Sequence, residues 1–164
     1  MPRRARPLTP FATIPIGRIT LTFYQGDCLA LLARLPRHSV DVVVTSPPYN
    51  LGIDYRTYED RMPRADYLAW TARWIRAVAR MLVPEGSLFL NVGAKPTDPW
   101  AAIDVAQVAR RHLHLQNTLH WIKSIAIDRD AVGGARLPRD LAVGHYKPIN
   151  SPRFVNDCHE FIFH

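Results

Sequence analysis

Residues 42–50 read Val-Val-Val-Thr-Ser-Pro-Pro-Tyr-Asn, a run of β-branched residues that stops at two prolines. Three consecutive valines predict a short strand buried on both faces, as central strands of parallel sheets are. Pro47 and Pro48 have no N–H for a strand ladder, so we expect the strand to end at Ser46. Open α/β sheets bind ligands at the carboxyl ends of their strands. A purely structural turn and a peptide ligand for a proline-recognising domain are the alternatives.

Strand-like and helix-like segments alternate on both sides of this turn. The predicted strands cover residues 18–25, 42–44, 87–92, 115–124 and 157–164, and the predicted helices cover residues 28–35, 63–81 and 99–112. Apolar residues recur at helical spacing in the longest helix, a stripe that is typical of core: Tyr67, Trp70, Trp74, Val78 and Met81. Residues 1–17 hold four prolines and predict a basic, flexible arm, and residues 125–152 predict a long Gly/Pro-rich excursion. The alternation predicts a three-layer α/β domain over residues 18–164 with a mostly parallel sheet.

Composition narrows the classes of protein to consider. The chain of 164 residues fits one domain with a sizeable core. Apolar runs stay well short of the roughly 20 residues of a membrane span, and the basic start lacks the apolar core of a signal peptide, which predicts a cytoplasmic protein. The net charge of +7 favours a polyanionic partner such as nucleic acid. Two cysteines and scattered histidines predict neither a disulfide framework nor a metal site.

Four short motifs occur in a meaningful order: Gly-Asp at 26–27, Thr-Ser-Pro-Pro-Tyr-Asn at 45–50, Pro-Glu-Gly-Ser at 84–87 and Trp-Ile-Lys at 121–123. The chain resembles the β-class amino-methyltransferases of DNA, whose catalytic strand is followed by (Asp/Ser/Asn)-Pro-Pro-(Tyr/Phe). That family uses S-adenosylmethionine to methylate N4 of cytosine or N6 of adenine. The resemblance implies a Rossmann-like S-adenosylmethionine-dependent methyltransferase fold, double-stranded DNA as partner and a place in DNA restriction-modification.

The chemistry accounts for the residue types in the Ser-Pro-Pro-Tyr motif. An exocyclic amino group is a poor nucleophile because its lone pair is delocalised into the ring. The Ser46 side chain and the Pro47 carbonyl can each accept one amino N–H bond, while Pro47 and Pro48 hold that carbonyl in one direction. The base must first be flipped out of the duplex, and Tyr49 is expected to stack on it.

Further site residues follow from the same resemblance. Asp27 and Thr45 are assigned to the cofactor, although Asp27 is equally suited to cap the next helix. Asn50 is expected to brace the turn or to contact the base, and Lys123 and Arg153 to contact DNA phosphates or remain solvated surface. Serine at position 46 favours cytosine N4 over adenine N6, because the adenine enzymes of the family mostly have aspartate there.

One family motif is missing from the printed sequence. The Gly-rich cofactor loop, Phe-x-Gly-x-Gly-like and near the C-terminus in this class, has no counterpart, and neither does a target-recognition region. We therefore expect the chain to be the N-terminal catalytic portion of a longer enzyme and to be inactive alone; it is either a truncated sequence or one piece of a split protein with a complementary C-terminal half. The alternatives are an N6-adenine enzyme, a methyltransferase that acts on a protein or RNA, and an inactive DNA-binding remnant.

Overall fold

The computed structural model describes residues 8–55, 60–95, 97–127, 141–144, 152–153 and 159–164. Within these ranges the helices are α1 (Cys28–Leu32), α2 (Arg64–Met81) and α3 (Ala101–Ala109). The strands are β1 (Ala12–Ile16), β2 (Ile19–Phe23), β3 (Val40–Thr45), β4 (Leu82–Val92), β5 (Thr118–Ile122), β6 (Ser124–Ile127), β7 (Leu141–Gly144) and β8 (His159–Phe163). Each predicted helix and strand has a counterpart, and β4 alone begins well ahead of its predicted start.

In the part of the chain that the structure describes, the main sheet has four strands in the order β3-β4-β8-β5. The β3–β4 pair is parallel, because α2 carries the chain back to the starting edge. The β4–β8 and β5–β8 pairs are antiparallel. The predicted mostly parallel sheet is thus mixed: β3, β4 and β5 run in one direction, and two of the three strand pairs are antiparallel. The physical reason is that β8 runs back between β4 and β5, against the direction of both.

The core lies on one face of this sheet. Leu88, Leu90 and Val92 alternate along β4, and they are buried under α2 and α3. The predicted stripe of α2 is confirmed as core, with Tyr67, Trp74, Val78 and Met81 buried and Trp70 partly buried against them. Burying a large apolar side chain contributes about 1.5–3 kcal/mol, so this stripe holds α2 on the sheet. Helix α1 adds Leu29 and Leu32 to the same cluster.

The opposite face of the sheet is open, and we call it the open face. It carries Val42, Val44, Phe89, Leu119 and Trp121, which alternate with the core side chains along their strands. Val42 is 54% exposed and Val44 is 77% exposed. The prediction that the valine strand is buried on both faces is therefore wrong, because the three described helices all pack on the other side.

Two small sheets accompany the main one. Strands β1 and β2 form an antiparallel hairpin whose apolar side chains are largely exposed, including Ile14, Ile16, Ile19 and Phe23. Residues 12–16 are thus a strand, which corrects the predicted arm over 1–17; residues 1–7 lie outside the described part. Strands β6 and β7 pair antiparallel inside the predicted excursion over 125–152. Among the described residues, no helix combines the length and the apolarity that a membrane crossing requires.

Candidate active site

The Ser-Pro-Pro-Tyr motif leaves β3 at the carboxyl end of the strand. The strand ends at Thr45, one residue before the predicted end. The buried Tyr67, in the first turn of α2, donates its hydroxyl to the Pro48 carbonyl at 2.8 Å. A side chain that is 1% exposed therefore fixes the direction of the turn.

The loop after the motif is held by one buried carboxylate. Asp60 is 2% exposed and accepts hydrogen bonds from the backbone N–H groups of residues 50–53, at 3.0–3.1 Å. Successive N–H groups that converge on an anion form a nest, and here the anion belongs to the chain itself. Asn50 has a left-handed φ of 59°. Its amide exchanges hydrogen bonds with the Met62 backbone at 2.7 and 2.8 Å.

Five polar side chains meet beside the motif, and we call them the polar cluster: Ser46, Tyr49, Asn91, Lys123 and Glu160. The Ser46 and Tyr49 hydroxyls are 2.7 Å apart. Asn91 Nδ2 lies 2.7 Å from the Tyr49 hydroxyl and 2.8 Å from Glu160 Oε2. Tyr49 donates to Glu160 at 3.3 Å, and Lys123 Nζ forms an ion pair with Glu160 at 3.0 Å.

Sheet topology explains why residues so far apart in sequence meet. Ser46 follows β3, and Asn91 lies near the end of its parallel neighbour β4. Strand β8 runs the other way, so its second residue, Glu160, arrives at the same end of the sheet. Lys123 follows β5, which pairs with β8. The alternation of side chains places the cluster on the open face.

Tyr49 fits against a glycine at the end of β4. A Cβ on Gly93 would lie 2.9 Å from Tyr49 Cε2 and 3.1 Å from Tyr49 Cδ2. A contact of 2.9 Å is shorter than real Cβ atoms tolerate, so a side chain at position 93 would displace the ring. The lack of a side chain at Gly93 therefore allows the Tyr49 ring to lie beside Ser46 and Asn91.

The electrostatics of the polar cluster keep one group charged and one neutral. Burial alone would raise the pKa of Glu160, but hydrogen bonds from Asn91 and Lys123, the lysine charge and the Tyr49 hydrogen bond lower it below its ordinary value. Burial raises the pKa of the Tyr49 phenol, the Ser46 hydrogen bond opposes this, and the Glu160 charge adds to it. At neutral pH the cluster thus holds a carboxylate and a protonated phenol.

The other predicted site residues lie at separate places in the fold and differ in their contacts. Asp27 caps α1, accepting a hydrogen bond from the Ala30 N–H at 2.8 Å. Thr45 is half-buried at the end of β3. Lys123 contacts Glu160 and lies 3.8 Å over the Trp121 ring. Arg153 is exposed in a bend. The structure thus brings Ser46, Tyr49 and Lys123 together, and it gives Asp27 the capping role.

Four residues of this region were missed in the sequence: Asp60, Asn91, Gly93 and Glu160. Two of them left a signal, because a polar residue interrupts an apolar strand in Leu-Phe-Leu-Asn-Val (88–92) and in His-Glu-Phe-Ile-Phe (159–163). Buried polar groups in strands need partners, so each interruption marks a side chain with a specific contact. Asp60 lies in a polar stretch and left no such signal.

Comparison with known families shows which proteins this chain is similar to. The family model described as DNA methylase, of the N6/N4 methyltransferases, matches residues 40–164, well over half of the chain. The chain belongs to this family. The resemblance to DNA amino-methyltransferases that the Ser-Pro-Pro-Tyr motif predicted is confirmed.

Curated relatives are methyltransferases of the type II class. The chain is 47% identical over 58 residues to the type II methyltransferase M.MjaVI of Methanocaldococcus jannaschii, covering 35% of this chain and 30% of that protein. It is 42% identical over 80 residues to M.BglII of Bacillus subtilis, covering 49% of this chain and 21% of that protein. The matched regions therefore span less than a third of these relatives.

Solved structures extend the likeness over most of the chain. The PvuII DNA methyltransferase, a cytosine-N4-specific enzyme, matches with a TM-score of 0.53 at 20% identity, over 87% of this chain and 47% of that one. TTHA0409 of Thermus thermophilus, by name a DNA modification methylase, was solved with S-adenosyl-L-methionine. It matches with a TM-score of 0.54 at 25% identity, over 84% of this chain and 52% of that one. The fold is thus that of DNA methyltransferases, and the chain spans about half of each structure.

Proposed function

We propose that the chain is the catalytic portion of a site-specific DNA methyltransferase. It transfers a methyl group from S-adenosylmethionine to the exocyclic amino group of a flipped base, with cytosine N4 favoured over adenine N6. The observation that carries this proposal is the polar cluster around Ser46 and Tyr49, at the carboxyl ends of two parallel strands in a DNA methylase family member. Serine at position 46 supports the preference for cytosine.

The residues of the motif act on the amino group of the base. Ser46 Oγ and the Pro47 carbonyl each accept one amino N–H bond, which favours a pyramidal nitrogen whose lone pair is free to react. The bound cofactor supplies an electrophilic methyl group on a sulfonium. A new N–C bond forms as the S–C bond breaks, the S–C pair stays on sulfur, and the nitrogen then loses one proton to solvent. One side-chain acceptor and one backbone acceptor, both in fixed positions, lower the activation barrier by orienting the amino group.

Tyr49 and Asn50 have different proposed roles near the base. The Tyr49 hydroxyl is held in the polar cluster, and its ring is proposed to stack on the flipped base. Both polar ends of the Asn50 amide are engaged by Met62, which supports a bracing role for Asn50. Lys123 joins the polar cluster through its ion pair with Glu160. The exposed Arg153 is proposed to contact a DNA phosphate.

S-adenosylmethionine is assigned to Asp27 and Thr45. Asp27 caps α1 through Oδ1, so its exposed carboxylate also suits a hydroxyl or amine of the cofactor. Thr45 is half-buried at the strand end where such ligands bind. These two residues fit one part of the cofactor. We propose that a Gly-rich loop on a complementary C-terminal half holds the rest.

The exposed apolar surface supports this partner. Val44 is 77% exposed within the main sheet, and an isolated hairpin such as β1–β2 is marginally stable in water. Neighbouring exposed apolar side chains on one sheet face, such as Val42 and Val44, mark an interaction site. We propose that the complementary half packs on the open face and the hairpin, which completes a Rossmann-like domain with helices on both sides of the sheet. Double-stranded DNA is the substrate, and the assembled enzyme is cytoplasmic.

A methyl-transfer assay tests the proposal. The chain is incubated with labelled S-adenosylmethionine and DNA, alone and together with a complementary half that carries the Gly-rich loop. We expect little incorporation by the chain alone and robust incorporation by the pair, with N4-methylcytosine as the nucleoside product. Incorporation by the chain alone would remove the need for a second half. N6-methyladenine as product would overturn the preference for cytosine.

Two variants of the completed enzyme test the assigned roles. Ser46→Ala and Tyr49→Ala are each expected to lower turnover about 10²-fold or more, the scale of losing a positioned polar contact. DNA affinity is expected to change by less than about threefold, since phosphate contacts dominate it. Arg153→Ala is the matched contrast, with weaker DNA binding and unchanged turnover at saturating DNA. Unchanged turnover of both motif variants would remove Ser46 and Tyr49 from the active site.

A further inference from the structure

We propose that Glu160 is a positioning residue that makes Ser46 a hydrogen-bond acceptor. It acts through the Tyr49 hydroxyl, which lies between the carboxylate and the serine. The inference rests on the proposed function, because an amino group can bind Ser46 in the required way only if the serine offers a lone pair. Glu160 does not touch the base in this arrangement.

The donor count fixes the direction of the hydrogen bonds. An ionised carboxylate only accepts, so the Tyr49 hydroxyl donates its single proton to Glu160 at 3.3 Å. Tyr49 then has only acceptor capacity for Ser46, so the serine must donate its proton across the 2.7 Å contact. The hydrogen of Ser46 is thereby turned toward Tyr49. Asn91 Nδ2 donates to one lone pair of Ser46 Oγ at 3.3 Å, and the other lone pair is left for a substrate N–H.

Asn91 and Lys123 keep this direction stable. Asn91 Nδ2 must face Glu160, at 2.8 Å, because its oxygen would repel the carboxylate, and the same nitrogen donates to Tyr49 at 2.7 Å. Lys123 pairs with Glu160 at 3.0 Å and favours its ionised form. Three donors therefore converge on Glu160 from three different strands or strand ends, and Glu160 is the acceptor on which the chain of hydrogen bonds ends.

The opposite direction becomes available when the carboxylate is lost. With glutamine at position 160, an amide N–H can face Tyr49, and Tyr49 is then free to donate to Ser46. The Ser46 hydroxyl would then point its hydrogen toward the base, where it would face an amino N–H, which is also a donor. Like-directed donors repel, so the productive orientation of the base is lost although its binding pocket keeps its shape.

A double-mutant cycle in the completed enzyme tests the inference. E160Q is expected to lower kcat about 10²-fold with little change in DNA affinity, and E160D, which keeps a carboxylate, is expected to retain more of it. In a Y49F background, where the intervening hydroxyl is absent, E160Q is expected to change kcat by less than about threefold. Equal losses in both backgrounds, or no loss in either, would overturn the inference. If E160Q does not fold, E160A in both backgrounds makes the same comparison, because alanine also removes the carboxylate.

A second readout uses the 164-residue chain without cofactor or DNA. Tyrosine ¹³Cζ NMR follows ionisation of Tyr49, and E160Q is expected to lower its pKa, because burial remains while the carboxylate charge is removed. An unchanged pKa would show that Glu160 and Tyr49 are not in contact and would overturn the inference. If the wild-type pair fails to methylate DNA, the proposed function fails. If it does methylate DNA but E160Q behaves as wild type, only the role of Glu160 fails.

Discussion

Asp60→Asn is expected to destabilise the chain strongly, although the two side chains have nearly the same shape. The Asp60 carboxylate is 2% exposed, with one N–H bond to Oδ1 and three to Oδ2. Asparagine offers one oxygen, which can keep the three bonds now made by Oδ2. Its NH₂ group then faces the Asn50 N–H, and one buried donor loses its acceptor.

The size of the effect follows from these four bonds. A buried donor left unsatisfied costs about 1–3 kcal/mol. The three remaining bonds change from charged to neutral and lose roughly half their strength. Asparagine avoids the cost of burying a charge, which offsets part of this loss. The net loss is about 3 kcal/mol, which for a chain of this size lowers Tm by roughly 6–12 °C.

Thermal unfolding followed by circular dichroism measures this change, and amide hydrogen exchange shows where it arises. The N–H groups of residues 50–53 should lose protection in the D60N protein. Asp54→Asn makes the same chemical change at an exposed position of the same loop, and it should shift Tm by less than about 2 °C. A D60N protein with unchanged Tm and unchanged protection at residues 50–53 would refute the reasoning.

Three further predictions concern the site and the open face. Gly93→Ala places a Cβ 2.9 Å from Tyr49 Cε2, so we expect it to displace the tyrosine ring. Turnover of the completed enzyme, measured by methyl incorporation, should fall at least about 10-fold. Ala94→Gly serves as the control. Glu160 stabilises the fold through a pKa below its ordinary 4.5. Its contribution is full above that value and is lost as the pH falls through the folded-state pKa, so the Tm difference between wild type and E160Q should shrink in acid. Val44→Lys should leave Tm of the chain within about 2 °C, because Val44 is 77% exposed, yet prevent assembly with a complementary half in gel filtration.

The elements could be predicted because their signals are local. The stripe of α2 repeats at helical spacing, and the prolines after Ser46 end β3 wherever the strand lies in the sheet. The direction of β8 could not be predicted in the same way. Nothing in His-Glu-Phe-Ile-Phe says which strands it joins, and only its pairing with β4 and β5 makes the sheet mixed.

The valines of β3 show where a local rule depends on its surroundings. Three consecutive β-branched residues predict a strand covered on both faces. Val43 does pack against the core, whereas Val42 and Val44 are exposed. The rule describes a strand between two layers of helices, and the described helices supply one layer. The sequence pattern therefore agrees with the proposed completed domain better than with the chain alone.

The residues of the candidate active site were also only partly predictable from the sequence. Ser46 and Tyr49 lie in one motif and could be identified from the sequence. Glu160 is 111 residues from Tyr49 and Asn91 is 42 residues from it, so their contacts exist only once the strands are in register. A shift of one residue in β8 would turn Glu160 to the core face and remove the acceptor from the cluster. The register of the sheet is thus a requirement of the site.

On the proposed function, the location of the polar cluster on the open face would link catalysis to assembly with the complementary half. Val44 and the cluster share one face of the sheet, so a partner that covers the valine also closes over Ser46 and Tyr49. Excluding water from the cluster lowers the local dielectric and strengthens the hydrogen bonds that run from Ser46 to Glu160. On the proposed function, the chain alone holds its catalytic groups in place but leaves them exposed to solvent. The complementary half would then supply the methyl donor and, by the same contact, the dry environment in which Ser46 can hold an amino group.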